Sequence, residues 1–246
     1  MSPGSDPKLD PVSTESVPAE PRMARVRTFQ PRRGRVSDRH EDALARLLPV
    51  YGVDESFEAA TAFGRSAPLI LEIGSGMGQA TAEMAAADPG RDYLAVEVHP
   101  PGIANLLWLV EERGLRNVRV FDGDALDFAR GTLPEASLAA LHVYFPDPWP
   151  KPRHHKRRII QAGHVELLRS RLAPGGVFHC ATDWAEYAER MLKVLTADPE
   201  LENTAEGFAA RPGHRPVTKF ERRGVAAGRE IFDLVFRRVQ GGSATG

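Results

Sequence analysis

The sequence has a single cysteine, Cys180, and no apolar run as long as a membrane span. One cysteine cannot form an intrachain disulfide, and it cannot supply a cysteine-based zinc site. No apolar segment typical of a secretory signal follows the first methionine, and no stretch approaches the ~18–20 apolar residues that a transmembrane helix needs. We therefore expect a cytoplasmic protein without a membrane partner and without a bound metal ion.

The protein also has almost no net charge. Its 32 basic residues nearly balance 33 acidic residues, and the formal net charge is −1. The charges are nevertheless unevenly distributed along the chain. Seven arginines and one acid lie between residues 21 and 40, and residues 151–158 read K-P-R-H-H-K-R-R without an acid. Such basic segments on a neutral total are compatible with binding a phosphate backbone. For the first segment an ordinary solvated surface is an equal alternative.

At ~150 residues per domain, a length of 246 residues predicts either one sizeable domain with extensions or two small domains. Residues 1–20 are rich in proline and polar residues and lack aromatics, so we expect a disordered tail. Residues 21–40 are expected to form a basic N-terminal arm. Residues 41–240 are predicted to form the single folded domain, and residues 241–246 a disordered C-terminus.

Short apolar runs alternate with helical patterns from Ala67 onward. Six of these runs are predicted to be strands, at residues 68–73, 92–98, 117–121, 138–145, 177–181 and 230–238. One of the intervening helices is predicted from about Arg157 to Leu172, ending at the Pro174-Gly175-Gly176 segment. This alternation predicts an α/β fold with a doubly wound, mostly parallel sheet and helices on both faces. Ligands bind such sheets at the carboxyl ends of the strands.

The first predicted strand ends in the glycine-rich segment E-I-G-S-G-M-G. Its glycines are Gly74, Gly76 and Gly78, in the spacing G-x-G-x-G, which does not match the dinucleotide fingerprint G-x-G-x-x-G. Glycines at this place allow the backbone to approach a ligand closely and to turn into a helix. A tight strand–helix turn without a ligand is the alternative for this segment taken alone.

Acidic residues lie at the ends of the first three predicted strands. Glu72 lies within an apolar strand, where an unpaired acid is costly. Glu97 ends the second strand and can accept hydrogen bonds from both hydroxyls of a ribose. Asp124 follows the third strand, beside small residues that suit the edge of an adenine. Together with the glycines, these acids favour a ligand with an adenosine and a positively charged centre, S-adenosylmethionine, over NAD.

The fourth predicted strand leads into the segment F-P-D-P-W-P-K and the basic run that follows it. Two prolines flank Asp147 and restrict its backbone, so its carboxylate is presented rigidly. Trp149 offers a stacking face, and a carboxylate is complementary to the Watson–Crick edge of guanine. A rigid acid, an aromatic ring and basic residues are combined in proteins that bind nucleic acids. A simple turn and a core tryptophan are the alternatives. A second acid, Asp183, ends the fifth strand.

Five segments together resemble the bacterial tRNA (guanine-N7-)-methyltransferase family. They are L-E-I-G-S-G-M-G, E-V-H-P-P-G, F-P-D-P-W-P-K-x-R-H-x-K-R-R, A-T-D-W and R-P-V-T-K-F-E. The resemblance extends from about Arg25 to Val239. It implies a Rossmann-like class I methyltransferase fold with a seven-stranded sheet, S-adenosylmethionine as cofactor, and methyl transfer to N7 of guanine 46 in the variable loop of tRNA. Ser75, where an aromatic is common, and Pro150, where histidine is usual, depart from the family pattern.

The same resemblance implies roles for individual residues. Cofactor contacts are implied for Glu72, Glu97, Asp124 and Asp147, beside the three glycines. Contacts with the substrate guanosine are implied for Lys151, Asp183, Thr218, Lys219, Phe220 and Glu221. Contacts with RNA are implied for Arg153, His154, His155, Lys156, Arg157 and Arg158.

The chemistry of guanine N7 sets what the catalytic residues must do. N7 carries a lone pair and no proton, so its attack needs no general base. The purine gains positive charge, which nearby carboxylates stabilise. Asp183 and Asp147 are therefore predicted to be the catalytic residues, while His142 and His179, which lie within strands, are expected to be core residues.

Two other functions are kept as alternatives. One is a class I methyltransferase that modifies an exocyclic amine of nucleic acid, because F-P-D-P-W faintly resembles the Asn/Asp-Pro-Pro-aromatic motif of those enzymes. The other is a non-catalytic RNA-binding protein on the same fold. A monomer and a homodimer are both compatible with the sequence.

Overall fold

The computed structural model describes residues 27–29 and 37–240. The predicted tail at residues 1–20 and the C-terminus at residues 241–246 lie outside the described residues, as does most of the predicted arm at residues 21–40. Residues 38–40 belong to the first helix rather than to the arm, because that helix begins at Asp38.

Eight strands form one sheet in the described part of the chain. They are β1 (Gly52–Val53), β2 (Leu69–Ile73), β3 (Asp92–Glu97), β4 (Val118–Asp122), β5 (Leu138–Tyr144), β6 (Leu172–Thr182), β7 (Leu201–Asn203) and β8 (Phe232–Arg238). Their order is β1-β4-β3-β2-β5-β6-β8-β7, and β8 is the one strand of this sheet that runs in the direction opposite to the others. The predicted doubly wound, mostly parallel sheet is confirmed. The seven strands implied by the family resemblance are one fewer than the eight found. The apolar runs gave six strands, because β1 and β7 are edge strands too short to leave an apolar pattern.

Helices cover both faces of the sheet. They are α1 (Asp38–Tyr51), α2 (Ala59–Phe63), α3 (Gln79–Ala87), α4 (Pro100–Glu112), α5 (Ala125–Gly131), α6 (Ala162–Arg171), α7 (Ala185–Thr196) and α8 (Lys219–Ala226). None of the helices in the described ranges is both long and apolar enough to cross a bilayer.

The helix predicted from about Arg157 to Leu172 begins later than expected, at Ala162, and ends within one residue of the predicted end. A 3-10 helix occupies Pro152–Arg157, α6 begins only at Ala162, and β6 begins at Leu172. The proline–glycine segment does not separate the helix from the strand but forms an irregularity inside the strand. Leu172 pairs with Leu138, and the next pair joins Val177 to Ala140, so the residues between Leu172 and Val177 leave the ladder.

Alternate side chains of the central strands fill two cores, one on each face of the sheet. In β2, Leu69, Leu71 and Ile73 pack with residues of α5, α6 and α7, whereas Ile70 packs with residues of α1, α3 and α4. Both faces are apolar because the crossover helices bury both, which explains why the strands read as continuous hydrophobic runs. The strand order reverses between β2 and β5, so the loops after β2, β3 and β5 diverge and leave a crevice.

Two glycines allow the loop after β2 to pack closely against α4. A Cβ built on Gly78 would lie 2.4 Å from the Cβ of Leu106, and a Cβ on Gly102 would lie 2.1 Å from the carbonyl oxygen of Gly76. Gly78 also has a positive φ of 74° at the start of α3. These contacts place the glycine-rich loop against the N-terminal end of α4.

We expect Gly102→Ala to lower the free energy of unfolding by roughly 1–3 kcal/mol, because the new methyl group would collide with backbone that cannot move independently. Gly163→Ala is the matched control, since a Cβ there meets no atom within 4 Å. That variant should raise the free energy of unfolding by up to about 1 kcal/mol through helix propensity. Urea denaturation of both variants is the measurement, and equal effects would contradict the packing argument.

Candidate active site

A cavity of about 220 Å³ lies in the crevice at the carboxyl ends of β2, β3 and β5. Five of the predicted site residues line it: Gly74, Gly76, Glu97, Asp147 and Phe220. Two larger hollows, of about 510 and 380 Å³, lie beside α2 and beside Arg65, and neither contains a predicted site residue. The chemistry of the lining residues therefore selects the smaller cavity as the candidate site.

The glycine-rich loop forms one wall of this cavity. Gly74 and Gly76 have positive φ angles of 75° and 57°, a conformation that glycine adopts without strain. A Cβ built on Gly74 would meet no atom within 4 Å, so this side of the backbone faces open space. The loop can therefore approach a ligand without an intervening side chain. Gly78 does not line the cavity. It allows the loop to pack closely against Leu106.

The Glu97 carboxylate connects the loops after β2 and β3. Oε2 accepts a hydrogen bond from the amide of Gly76 (2.7 Å), and Oε1 accepts from the amides of Val98 (2.7 Å) and His99 (3.0 Å). Each carboxylate oxygen can accept two hydrogen bonds, so Oε2 retains the capacity to accept one from a ligand hydroxyl. Glu97 thus holds the shape of the cavity and also borders it.

Glu72 and Asp124 bind backbone or side-chain donors near the cavity rather than lining it. Glu72 is buried, and its Oε2 accepts a hydrogen bond of 2.6 Å from the Thr81 hydroxyl. Burial raises the pKa of Glu72 to about 7. Asp124 is the N-cap of α5, where its Oδ1 accepts from the amide of Leu126 (2.8 Å). Its neighbours in sequence, Gly123 and Ala125, line the cavity.

Asp147 lines the cavity from a strained segment that follows β5. Phe145 and Trp149, two residues before and after it, have positive φ angles of 50° and 46°, which cost non-glycine residues energy. The amide of Phe145 donates to the carbonyl oxygen of Ala181 in β6 (2.7 Å), and its ring stacks on Phe220 with centroids 6.3 Å apart. These contacts hold the segment in the conformation that directs Asp147 to the cavity.

Asp183 lies at the end of β6 and is bound by a residue that the sequence did not single out. Its Oδ2 accepts a hydrogen bond of 2.8 Å from Nε of Arg229, and Asp183 is partly exposed. A Cβ built on Gly224 would lie 2.9 Å from the same oxygen, so α8 packs directly on this carboxylate. Asp183 is not among the residues that line the cavity. In the sequence, this close contact is indicated by Gly224 itself, because a glycine within a helical pattern often marks close packing.

The segment before and in α8 is anchored by a buried arginine. Arg215 donates to both carboxylate oxygens of Asp233 (2.7 and 2.8 Å) and also pairs with Glu221. The Glu221 carboxylate is buried against Arg215, and its contact with the guanosine stays a prediction. Thr218 caps α8 and accepts from the amide of Glu221 (3.1 Å). Lys219 and Phe220, by contrast, are exposed.

The basic run divides into an exposed and an anchored part. Lys151, Arg153 and Lys156 are exposed, whereas His154 and His155 are half-buried. Solvent and a phosphate backbone can therefore reach Lys151, Arg153 and Lys156.

Trp149 and Arg157 bind the short described piece of the N-terminal arm. The guanidinium of Arg157 lies 3.7 Å from the centroid of the Trp149 ring and donates to the carbonyl oxygens of Arg27 (3.1 Å) and Phe29 (2.9 Å). Trp149 is buried and donates to the carbonyl oxygen of Thr28 (3.3 Å), so the core alternative for this residue is confirmed. Thr28 and Phe29 also line the cavity, although neither is among the predicted site residues.

The side chain of Arg158, which is predicted to contact RNA, is buried in the structure. Its side chain is 3% exposed and forms a paired salt bridge with Glu186 of α7. It also donates to the carbonyl oxygen of Pro148 (2.8 Å) and lies over the ring of Tyr187. Its guanidinium binds acceptors of both segments, so Arg158 attaches the segment after β5 to α7.

Comparisons with known proteins agree with this geometry. A family model described as "Putative methyltransferase" matches residues 66–234. The chain is 53% identical to a tRNA (guanine-N(7)-)-methyltransferase of Streptomyces coelicolor, over 95% of this chain and 86% of that protein. It is also 53% identical to a tRNA (guanine-N(7)-)-methyltransferase of Nitrosospira multiformis, over 88% of this chain and 96% of that protein. The crystal structure of the 16S rRNA methyltransferase KamB matches with a TM-score of 0.54 and 16% identity, covering 74% of this chain and 94% of that one, and supports the fold alone.

The buried carboxyl of Glu72 predicts a pH dependence of stability. The folded chain holds its proton more tightly than the unfolded chain, so its contribution is present below pH ~4.5 and is lost as pH rises through about 7. Glu72→Gln keeps an acceptor for Thr81 and removes the titration. The difference in unfolding free energy, wild type minus variant, should fall by up to about 3 kcal/mol between pH 4.5 and 8. Denaturation of both proteins across that range is the measurement, and a constant difference would contradict the prediction.

Proposed function

Since this chain belongs to the tRNA (guanine-N(7)-)-methyltransferase family, we propose that it transfers the methyl group of S-adenosylmethionine to N7 of a guanine in tRNA, at position 46 of the variable loop. The observation that carries this proposal is the cavity at the reversal of strand order. It combines an open glycine wall, the Glu97 carboxylate and the Asp147 carboxylate within one crevice.

The residues of the cavity fit an adenosine-containing cofactor. The open side of Gly74 accommodates a group that would collide with any side chain there. Oε2 of Glu97 keeps acceptor capacity for a ribose hydroxyl, and Gly123 and Ala125 leave room for a flat base. S-adenosylmethionine supplies a methyl group that its sulfonium already activates. Glu72 and Asp124 are proposed to support the loops that hold it.

The two aspartates are proposed to act on the guanine. N7 has a lone pair and no proton, so neither Asp147 nor Asp183 is required as a base. Their negative charge stabilises the purine as it becomes positive, and their fixed positions orient the base for attack. Arg229 holds Oδ2 of Asp183 and restricts its rotation. Asp183 is thereby prepared to accept hydrogen bonds from the Watson–Crick edge.

The exposed residues around the cavity mouth are proposed to bind the tRNA. Lys151, Arg153 and Lys156 are exposed and directly follow the Asp147 segment. Lys219 and Phe220 are exposed at the start of α8, and Phe220 also lines the cavity. A cationic surface beside an aromatic ring suits a phosphate backbone and an unstacked base.

The direct test is incubation of the full chain with unmodified tRNA and labelled S-adenosylmethionine, followed by nucleoside analysis. We expect the label in 7-methylguanosine. Label in an exocyclic amine would favour the first alternative function, and tRNA binding without label would favour the non-catalytic one.

Asp183→Asn should lower kcat on tRNA by about 10²–10³-fold, because the neutral amide offers less stabilisation to the positive purine. The dissociation constant for S-adenosylmethionine should change by less than about threefold, since Asp183 does not line the cavity. Glu189→Gln is the matched control, because it removes one negative charge from the exposed face of α7. Single-turnover rates and cofactor titrations separate the two effects. An unchanged rate, or an equal loss in cofactor affinity, would remove Asp183 from the proposed role.

The double variant Arg153→Gln/Lys156→Gln should weaken tRNA binding and reduce the slope of log Kd against log salt concentration by about 1–2. Arg113→Gln/Arg116→Gln is the matched control, because these residues are equally exposed but lie beyond α4, next to the opposite edge of the sheet. Binding measured across a salt series is the readout. Equal slopes for the two double variants would contradict a phosphate contact at residues 153 and 156.

A further inference from the structure

Three histidines from separate elements lie together on one face of the sheet. His142 of β5 and His179 of β6 are register partners in adjacent strands, and His214 lies on the loop before α8. Their ring centroids are 5.5–5.8 Å apart. One ring nitrogen from each lies within 4.8 Å of the other two. We propose that His142, His179 and His214 bind one Zn²⁺ ion, a site that the methyl-transfer reaction does not require.

The protonation of these rings suits a metal ligand. Burial lowers the pKa of all three imidazoles, most strongly that of His142. They are therefore neutral at pH 7, and each presents a lone pair. Nδ1 of His142 is buried and has no hydrogen-bond partner within residues 27–29 and 37–240. A buried polar atom without a partner is costly, and coordination would remove that cost.

His179 has the second contact that is typical of metal-binding histidines. Its Nε2 lies 2.8 Å from Oδ1 of Asp233, and its Nδ1 lies 3.0 Å from the hydroxyl of Tyr144. A carboxylate on one ring nitrogen fixes the orientation of the ring and makes the other nitrogen a better ligand. A zinc ion bound to Nδ1 of His179 would replace the hydrogen bond between this nitrogen and the Tyr144 hydroxyl.

The charged groups next to the histidines balance one another. Arg215 pairs with Asp233 and Glu221, and Arg211 lies 3.9 Å from Glu221. A tetrahedral zinc site needs nitrogens about 3.3 Å apart, given Zn–N distances of ~2.0–2.1 Å. His214 is exposed on a loop, so its ring can move towards the two buried histidines of β5 and β6. Imidazole nitrogen and tetrahedral geometry point to zinc rather than to calcium or magnesium.

Such a site would attach the loop before α8 to β5 and β6. A bound zinc ion would correct the expectation that the chain binds no metal ion. The proposal of this site does not depend on the proposed activity. Binding should therefore raise the melting temperature of the full chain, because an ion that binds only the folded state stabilises it.

The test is a zinc titration of the full chain after treatment with a chelator, followed by calorimetry and thermal melting. We expect one ion per chain and a higher Tm. His214→Gln should weaken binding at least tenfold, and it should still fold because this ring is exposed. His154→Gln/His155→Gln is the control for adventitious binding at the neighbouring histidines of the basic run, and it should bind zinc as the wild type does. Loss of binding in this control but not in His214→Gln would overturn the proposal, as would the absence of stoichiometric binding.

Tyr144→Phe gives an independent readout of the same site. It removes the hydroxyl that occupies Nδ1 of His179 and keeps the ring, so zinc should bind more tightly than in the wild type. Titration with Co²⁺ should give the strong visible absorption of a tetrahedral complex. Weaker zinc binding in Tyr144→Phe, or a weak octahedral cobalt spectrum, would contradict the geometry.

Discussion

The reversal of strand order between β2 and β5 is the constraint on which the rest of the structure depends. Parallel strands require crossover helices, and crossovers that leave β2 and β5 in opposite directions cannot close the space between them. The glycine-rich loop, the loop that follows Glu97 and the Asp147 segment all begin at this one edge. Residues far apart in the chain, from Thr28 to Phe220, thus surround one cavity.

Acidic residues serve both the structure and the chemistry of this site. The Glu97 carboxylate holds two loops together through three amides, and Asp124 caps a helix beside the cavity. Because these groups are already hydrogen-bonded within the protein, the cavity keeps its shape before a ligand enters. Preorganisation of this kind lowers the cost of binding, since fewer groups have to be ordered afterwards.

Buried and exposed arginines have different roles in this structure. Arg158 and Arg215 are buried and donate to carboxylates or carbonyl oxygens of the protein, and each positions a loop near the cavity. Their burial is tolerated because Glu186, Asp233 and Glu221 neutralise them. The exposed Arg153 and Lys156 lie within the same basic run as Arg158, yet their charges face solvent and that of Arg158 does not.

The sequence alone determined the sheet, its central strands and the residues at the strand ends, because apolar runs, glycines and acids are local signals. It could not separate Arg158 from Arg153, or Glu221 from Lys219, because burial depends on which distant residue supplies a partner. The partnership of Asp183 with Arg229 and the proximity of His142, His179 and His214 also needed the tertiary structure. Spacing along a chain predicts which edge of a sheet a residue reaches, whereas the direction of its side chain is decided by packing between elements that the sequence keeps far apart.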